Sequence, residues 1–171
     1  MGGVCSSSAD ETPGFKSDTV DVVCLNKEDI AKLDNEGYND REHGKITWKI
    51  IISSDRTPTN SLTAGIATCK PKRERRPTSC GGNIAPHRHW QAKTCFFLSG
   101  EGVVNVDLIE YEVKAGSVVF IPGNAEHSVR NQSLVEDLVW YYCIASNNSH
   151  DVKDRFSCDV VKATTVNRVG A

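Results

Sequence analysis

Long uninterrupted apolar stretches are missing from this 171-residue sequence, and no segment approaches the roughly 20 apolar residues that a membrane-spanning helix requires. Charge of one sign is missing too: 20 Lys and Arg against 22 Asp and Glu leave a formal net charge of −2, so no global field draws in nucleic acid. The seven cysteines are odd in number, scattered and never spaced C-x-x-C, which argues against a zinc ribbon and a disulfide framework and points to a reducing compartment. The opening MGGVCSSSADETPG has neither the basic start nor the apolar run of a secretory signal, so the expected location is the cytoplasm. Glycosylation patterns at Asn131 and Asn147 are expected to stay unused there. Internal repeats are absent as well, and 39% hydrophobic with 25% charged residues is the composition of one globular domain.

What the first residues do fit is the acylation pattern M-G-x-x-x-S, with Gly2 as the myristoyl acceptor, Ser6 at the permitted position and Cys5 placed for a palmitoyl chain. Two such chains would anchor the protein stably at a membrane, where one holds only marginally. A Ser-rich start that merely begins Met-Gly is the plainer alternative. The sequence divides into a flexible segment over 1–18, an arm with one short helix over 19–45, a β-rich body over 46–156 and a tail over 157–171. Within the arm, Asn26 reads as a helix cap, followed by Glu28 and Asp29 in the first turn and by Ile30 and Leu33 on one side. Asp34-Asn35-Glu36-Gly37 is expected to stop that helix.

From Ile46 onward, short β-type runs alternate with turn signals and no long helical pattern intervenes, the signature of an antiparallel sandwich or barrel. Five basic side chains fall within Lys70 to Arg76, but no aromatic platform or known nucleic-acid module accompanies them, so they read as a solvated loop and nucleic acid is not expected as a partner. Three of the five histidines, His87, His89 and His127, lie in the β-rich part. On a strand, the H-x-H spacing points both imidazoles to one face. A third nitrogen from another strand would complete a site for a borderline divalent ion.

The surroundings of these histidines resemble the two signature motifs of the cupin superfamily. Gly81, His87, His89 and Gly100 match the first, G-x5-H-x-H-x3,4-E-x6-G, and Gly116, Pro122, His127 and Asn131 match the second, G-x5-P-x-G-x2-H-x3-N. Fifteen residues separate Gly100 from Gly116, similar to the compact spacing of bacterial-type members. The resemblance implies an all-β double-stranded β-helix, a jelly-roll-like barrel, carrying His87, His89 and His127 as ligands of iron, nickel, zinc or manganese. Asn124 replaces the second motif's glycine, and Asn tolerates left-handed backbone better than most residues.

A second departure carries more weight: Lys93 stands where the family has its glutamate ligand. An unbroken strand would place His87, His89, Gln91, Lys93, Cys95 and Phe97 on one face, so the ammonium is expected to point inward. At about 4 Å and an effective dielectric of about 20, it would repel a divalent ion by about 8 kcal/mol, where a carboxylate would gain a similar amount. Four resolutions are open: Lys93 swings away from an ion held by three histidines; it sheds its proton and acts as a base or weak ligand; it holds an anionic substrate at reduced metal affinity; or the site has lost metal and chemistry altogether.

Gln91 is a further candidate for contacting substrate, and Tyr141 is a candidate proton donor if its side of the strand, rather than that of Trp140 and Tyr142, faces the cavity. Cys95 reads as a small buried hydrophobe and Asn131 as a turn-fixing residue. Phe96 and Leu98 fall on the face opposite the histidines and want a cover, which a second subunit or the N-terminal segment could supply, and a homodimer is expected. The expected function is a metal-binding single-domain cupin acting on a small, anionic organic molecule, with Lys93 orienting substrate or moving a proton. By resemblance its chemistry is dioxygenase-type oxidation or a lyase or isomerase step. The alternative is a non-catalytic cupin that serves as a ligand-binding or membrane-associated scaffold.

Overall fold

The chain folds, in a computed structural model, as two antiparallel β-sheets packed face to face; the structure describes residues 20–71 and 81–160. The acylation pattern at Gly2 and Cys5, most of the basic run and the end of the tail lie outside the described residues. Eleven strands occur among the described residues: β1 (Glu36–Gly37), β2 (Thr47–Ile52), β3 (Thr63–Cys69), β4 (Asn83–Arg88), β5 (Lys93–Ser99), β6 (Glu101–Val106), β7 (Ile109–Lys114), β8 (Val118–Ile121), β9 (His127–Asn131), β10 (Leu138–Ile144) and β11 (Arg155–Phe156). Their spatial orders are β1-β2-β3-β10-β5-β8 in one sheet and β11-β4-β9-β6-β7 in the other.

Alternation decides which side chains enter the space between the sheets. Along β5, Lys93, Cys95 and Phe97 are buried while Thr94, Phe96 and Leu98 are exposed; along β10, Leu138, Trp140, Tyr142 and Ile144 are buried. Phe97 and Trp140, both 0% exposed and 5.7 Å apart, form the centre of the core. Gly100 and Gly116 turn at φ values of 77° and 90°, and Asn124 takes its left-handed turn position at 65°, as its side chain permits. A Cβ on Gly123 would come within 2.3 Å of the Trp90 carbonyl oxygen, so that position requires glycine for close backbone approach.

The arm's helix α1 (Lys27–Lys32) forms with Asn26 as its cap, and a reciprocal bond from the Asp29 side chain completes a capping box. Lys49 Nζ on β2 donates to the carbonyls of Ile30, Ala31 and Leu33, fastening the helix end to the barrel. The segment expected only to stop this helix instead supplies β1, which pairs Glu36 with Trp48. Sheet pairing overrides the turn character of Glu36-Gly37 because β2 offers an open edge.

Candidate metal centre

The three histidines come from the smaller sheet. His87 on β4 and His127 on β9 are direct cross-strand partners, and His89 follows β4 by one residue. Pro86 sits where the β4–β9 register shifts between Ile84 and His87, the kind of position that tolerates a residue without an N–H. The rings are 1–2% exposed, with centroids 4.2 Å apart for His87 and His127, 4.9 Å for His89 and His127, and 6.0 Å for His87 and His89. Their candidate ligand atoms lie within 4.8 Å of one another.

Each Nδ1 is engaged by a backbone carbonyl: His87 by Ala85 at 2.9 Å, His89 by Gln91 at 2.8 Å, His127 by Ala125 at 3.0 Å. A carbonyl accepts only, so Nδ1 carries the hydrogen and Nε2 keeps its lone pair. The Nε2 atoms of His89 and His127 are buried with no hydrogen-bond partner. Burial, reinforced by the Lys93 charge, lowers the pKa of His87 to about 3 and also that of His89; burial and the neighbouring His87 lower that of His127 to about 2. Three neutral nitrogens with oriented lone pairs and little else to bond are the donor set a borderline divalent ion takes.

Lys93 enters from the opposite sheet. The chain turns over Trp90–Ala92, so the histidine pair and the lysine do not share one strand as expected; Lys93 opens β5 and pairs with Ile121. It nevertheless faces inward, 8% exposed, with Nζ 5.5 Å from the Tyr142 ring centre. Gln91 lies in the intervening turn rather than on the strand face. Its Nε2 donates to the Asp151 carbonyl and its backbone carbonyl orients His89, so it supports the site without lining the cavity.

Tyr141 stands on the outer face, in a groove with Ile30, Ile51 and Ile66, and the inward hydroxyl on this strand is that of Tyr142. The parity of β10 left two alternatives, and packing of Trp140 into the core selects the second. Cys95 is 1% exposed and burial raises its pKa, as expected of a small buried hydrophobe. Asn131 donates to the carbonyls of Cys69 and Glu136 and accepts from the Ser133 N–H, fixing its turn.

A cavity of about 160 Å³ opens beside His87 and His89, and its wall includes residues the sequence did not flag: Glu36, Tyr38, Trp48 and Asp154. Tyr38 Oη donates to Asp154 Oδ2 at 2.5 Å, and burial with the adjacent carboxylate pushes the phenol far above its ordinary pKa. Glu36 accepts from Trp48 Nε1 at 3.1 Å and from Arg56 at 2.6 Å. All four lie outside the motif-bearing strands, Trp48 on β2 and the other three in or beside two-residue strands too short to show a period.

Facing antiparallel sheets with converging histidines are the arrangement of the cupin fold, and the chain carries a cupin domain. A cupin-domain family model matches residues 80–144. The sequence is 28% identical over 129 residues, 75% of this chain and 78% of the relative, to dimethylsulfoniopropionate lyase DddW of Ruegeria pomeroyi. Among solved structures, the polyketide cyclase RemF of Streptomyces resistomycificus matches with a TM-score of 0.60 at 13% identity, covering 78% of this chain and 86% of that one. The cupin-2 domain Rru_A2000 of Rhodospirillum rubrum matches at 0.57 and 19%, covering 76% and 80%. These two likenesses show the shared fold. No helix among the described residues is long and apolar enough to cross a membrane.

Proposed function

We propose that this protein is a metal-dependent lyase acting on a small carboxylate with a cationic leaving group. The observation that carries the reading is the convergence of three neutral imidazoles, two with unpartnered buried Nε2 atoms, beside the inward ammonium of Lys93. His87, His89 and His127 would hold the ion, which when bound polarises a carboxylate and acidifies the carbon beside it. Lys93 holds the substrate carboxylate, a use for the charge that explains a lysine facing a cation site. The aromatic faces of Tyr38 and Trp48, together with Glu36, which accepts from Trp48, give the cavity a wall that suits an onium group.

A zwitterion carries both charges that Lys93 and this wall would bind, and the likeness to a dimethylsulfoniopropionate lyase supports that substrate class. Elimination takes the hydrogen beside the carboxylate as a proton, forms a carbon–carbon double bond and expels the leaving group with its bonding pair. Glu36 is a wall carboxylate able to receive the proton. Tyr142 remains a protonated donor, since burial first and Glu36 next raise its pKa.

Supplying dimethylsulfoniopropionate to metal-loaded protein and measuring dimethyl sulfide in the headspace tests the reading. Release that disappears in the His87→Ala/His89→Ala variant supports it. Metal uptake without turnover of this or related onium carboxylates leaves the ligand-binding alternative. The exposed side chains of Phe96, Leu98, Val118 and Phe120 support a homodimer, which light scattering checks. Membrane association through Gly2 and Cys5 rests on the sequence pattern, and the mass of the N-terminal peptide from a eukaryotic host tests it.

A further inference from the structure

The motif position that ordinarily brings a carboxylate to the histidines carries Lys93, which leaves a divalent ion facing three neutral nitrogens and an ammonium. A carboxylate nevertheless reaches the site from another part of the chain. Asp154 Oδ1 lies 3.9 Å from His87 Nε2. Two donors bonded to one ion at about 2.1 Å each stand no more than about 4.2 Å apart, so the separation from His87 is within the reach of a shared cation, while His87, His89 and His127 alone form the cluster within 4.8 Å on which Asp154 would have to close.

The position of Asp154 is held by several contacts. β11 pairs with β4 so that Phe156 lies opposite His87, and strand alternation sends Asp154 to the same inward side as Phe156, which is 4% exposed. Arg155 between them stacks on Trp90, 4.2 Å from the ring centre, and donates to Asn124, which ties the segment to both turns of the histidine motifs. Tyr38 fixes Oδ2, leaving Oδ1 toward His87 with no hydrogen-bond donor among the described residues.

We infer that Asp154 supplies the cation at the histidines with the carboxylate that position 93 lacks, a relocation that frees Lys93 for the substrate. The inference rests on the metal-dependent reading above. It predicts that Asp154→Asn lowers Zn2+ affinity of the full chain by about tenfold or more, a loss at least as large as that from disturbing a ligand's supporting partner. Competition with a chromophoric chelator, on protein whose metal-free melting temperature matches the parent's, reads the effect without reference to activity. Adding Lys93→Glu to Asp154→Asn restores a carboxylate from the other side and should recover more affinity than Lys93→Glu gains in the parent. An Asp154→Asn protein that binds Zn2+ as tightly as the parent, or a double variant that regains nothing, overturns the inference alone. A parent protein that takes up no metal overturns the functional reading and this inference together.

Discussion

Among the described residues two triplets bring together side chains of the metal-binding kind, and they differ in burial and in hydrogen bonding. His87, His89 and His127 are buried, neutral and short of hydrogen-bond partners at Nε2. His43, Cys158 and Asp159 lie near the surface, and His43 Nε2 already meets both oxygens of Asp159 at 3.1 Å. The ring of His43 also stacks on Phe156 at 3.9 Å, which gives it a structural use. An unsatisfied lone pair inside the protein costs free energy that a cation can return, whereas a lone pair or proton already engaged at the surface offers no such gain. Burial and orphaned acceptors, more than a list of residue types, separate a cation site from a cluster.

The sharpest way to break this contrast is His87→Ala/His89→Ala. Removing two of three buried donors should lower transition-metal affinity by more than about a hundredfold, measured by metal content after dialysis, since supporting partners alone are worth ten- to a hundredfold. Lys93→Glu comes next: exchanging an inward ammonium for a carboxylate should raise Zn2+ affinity at least about tenfold in chelator competition and lower turnover of a carboxylate substrate. Unchanged affinity would show that the Lys93 charge is already screened from the site. Gly123→Ala drives a methyl into the Trp90 carbonyl and should cost about 1–3 kcal/mol in denaturant unfolding, with weakened metal binding because Asn124 N–H bonds the His89 carbonyl. His43→Ala should change metal affinity less than twofold, and stability by about 1 kcal/mol for the loss of a partly buried contact. A large loss of metal from that substitution would erase the distinction between the triplets.

Much of the site is readable along the chain because its donors are local in sequence. The H-x-H pair needs only strand alternation, and His127 follows a turn whose Pro122, Gly123 and Asn124 announce it. Asn26 and Asp29 likewise declare the helix by their own capping chemistry. The rest depends on pairings between remote segments. Lys93 does point inward, but because it opens a strand of the facing sheet rather than by continuing the parity of His87 and His89. Tyr141 and Tyr142 are equivalent in pattern until Trp140 takes its place in the core.

Glu36, Tyr38 and Asp154 come from two-residue strands and their flanks, where no periodicity can develop and only the ladder partners β2 and β4 set the register. The sequence by itself determined the barrel class, the helix cap and the histidine donors, since each rests on spacings within one or two adjacent elements. Tertiary structure alone decided which tyrosine enters the cavity, how the lysine meets the histidines and that an acid more than 60 positions from His87 stands beside it. Those relations are set by closure of one sheet over another, and no local period encodes them.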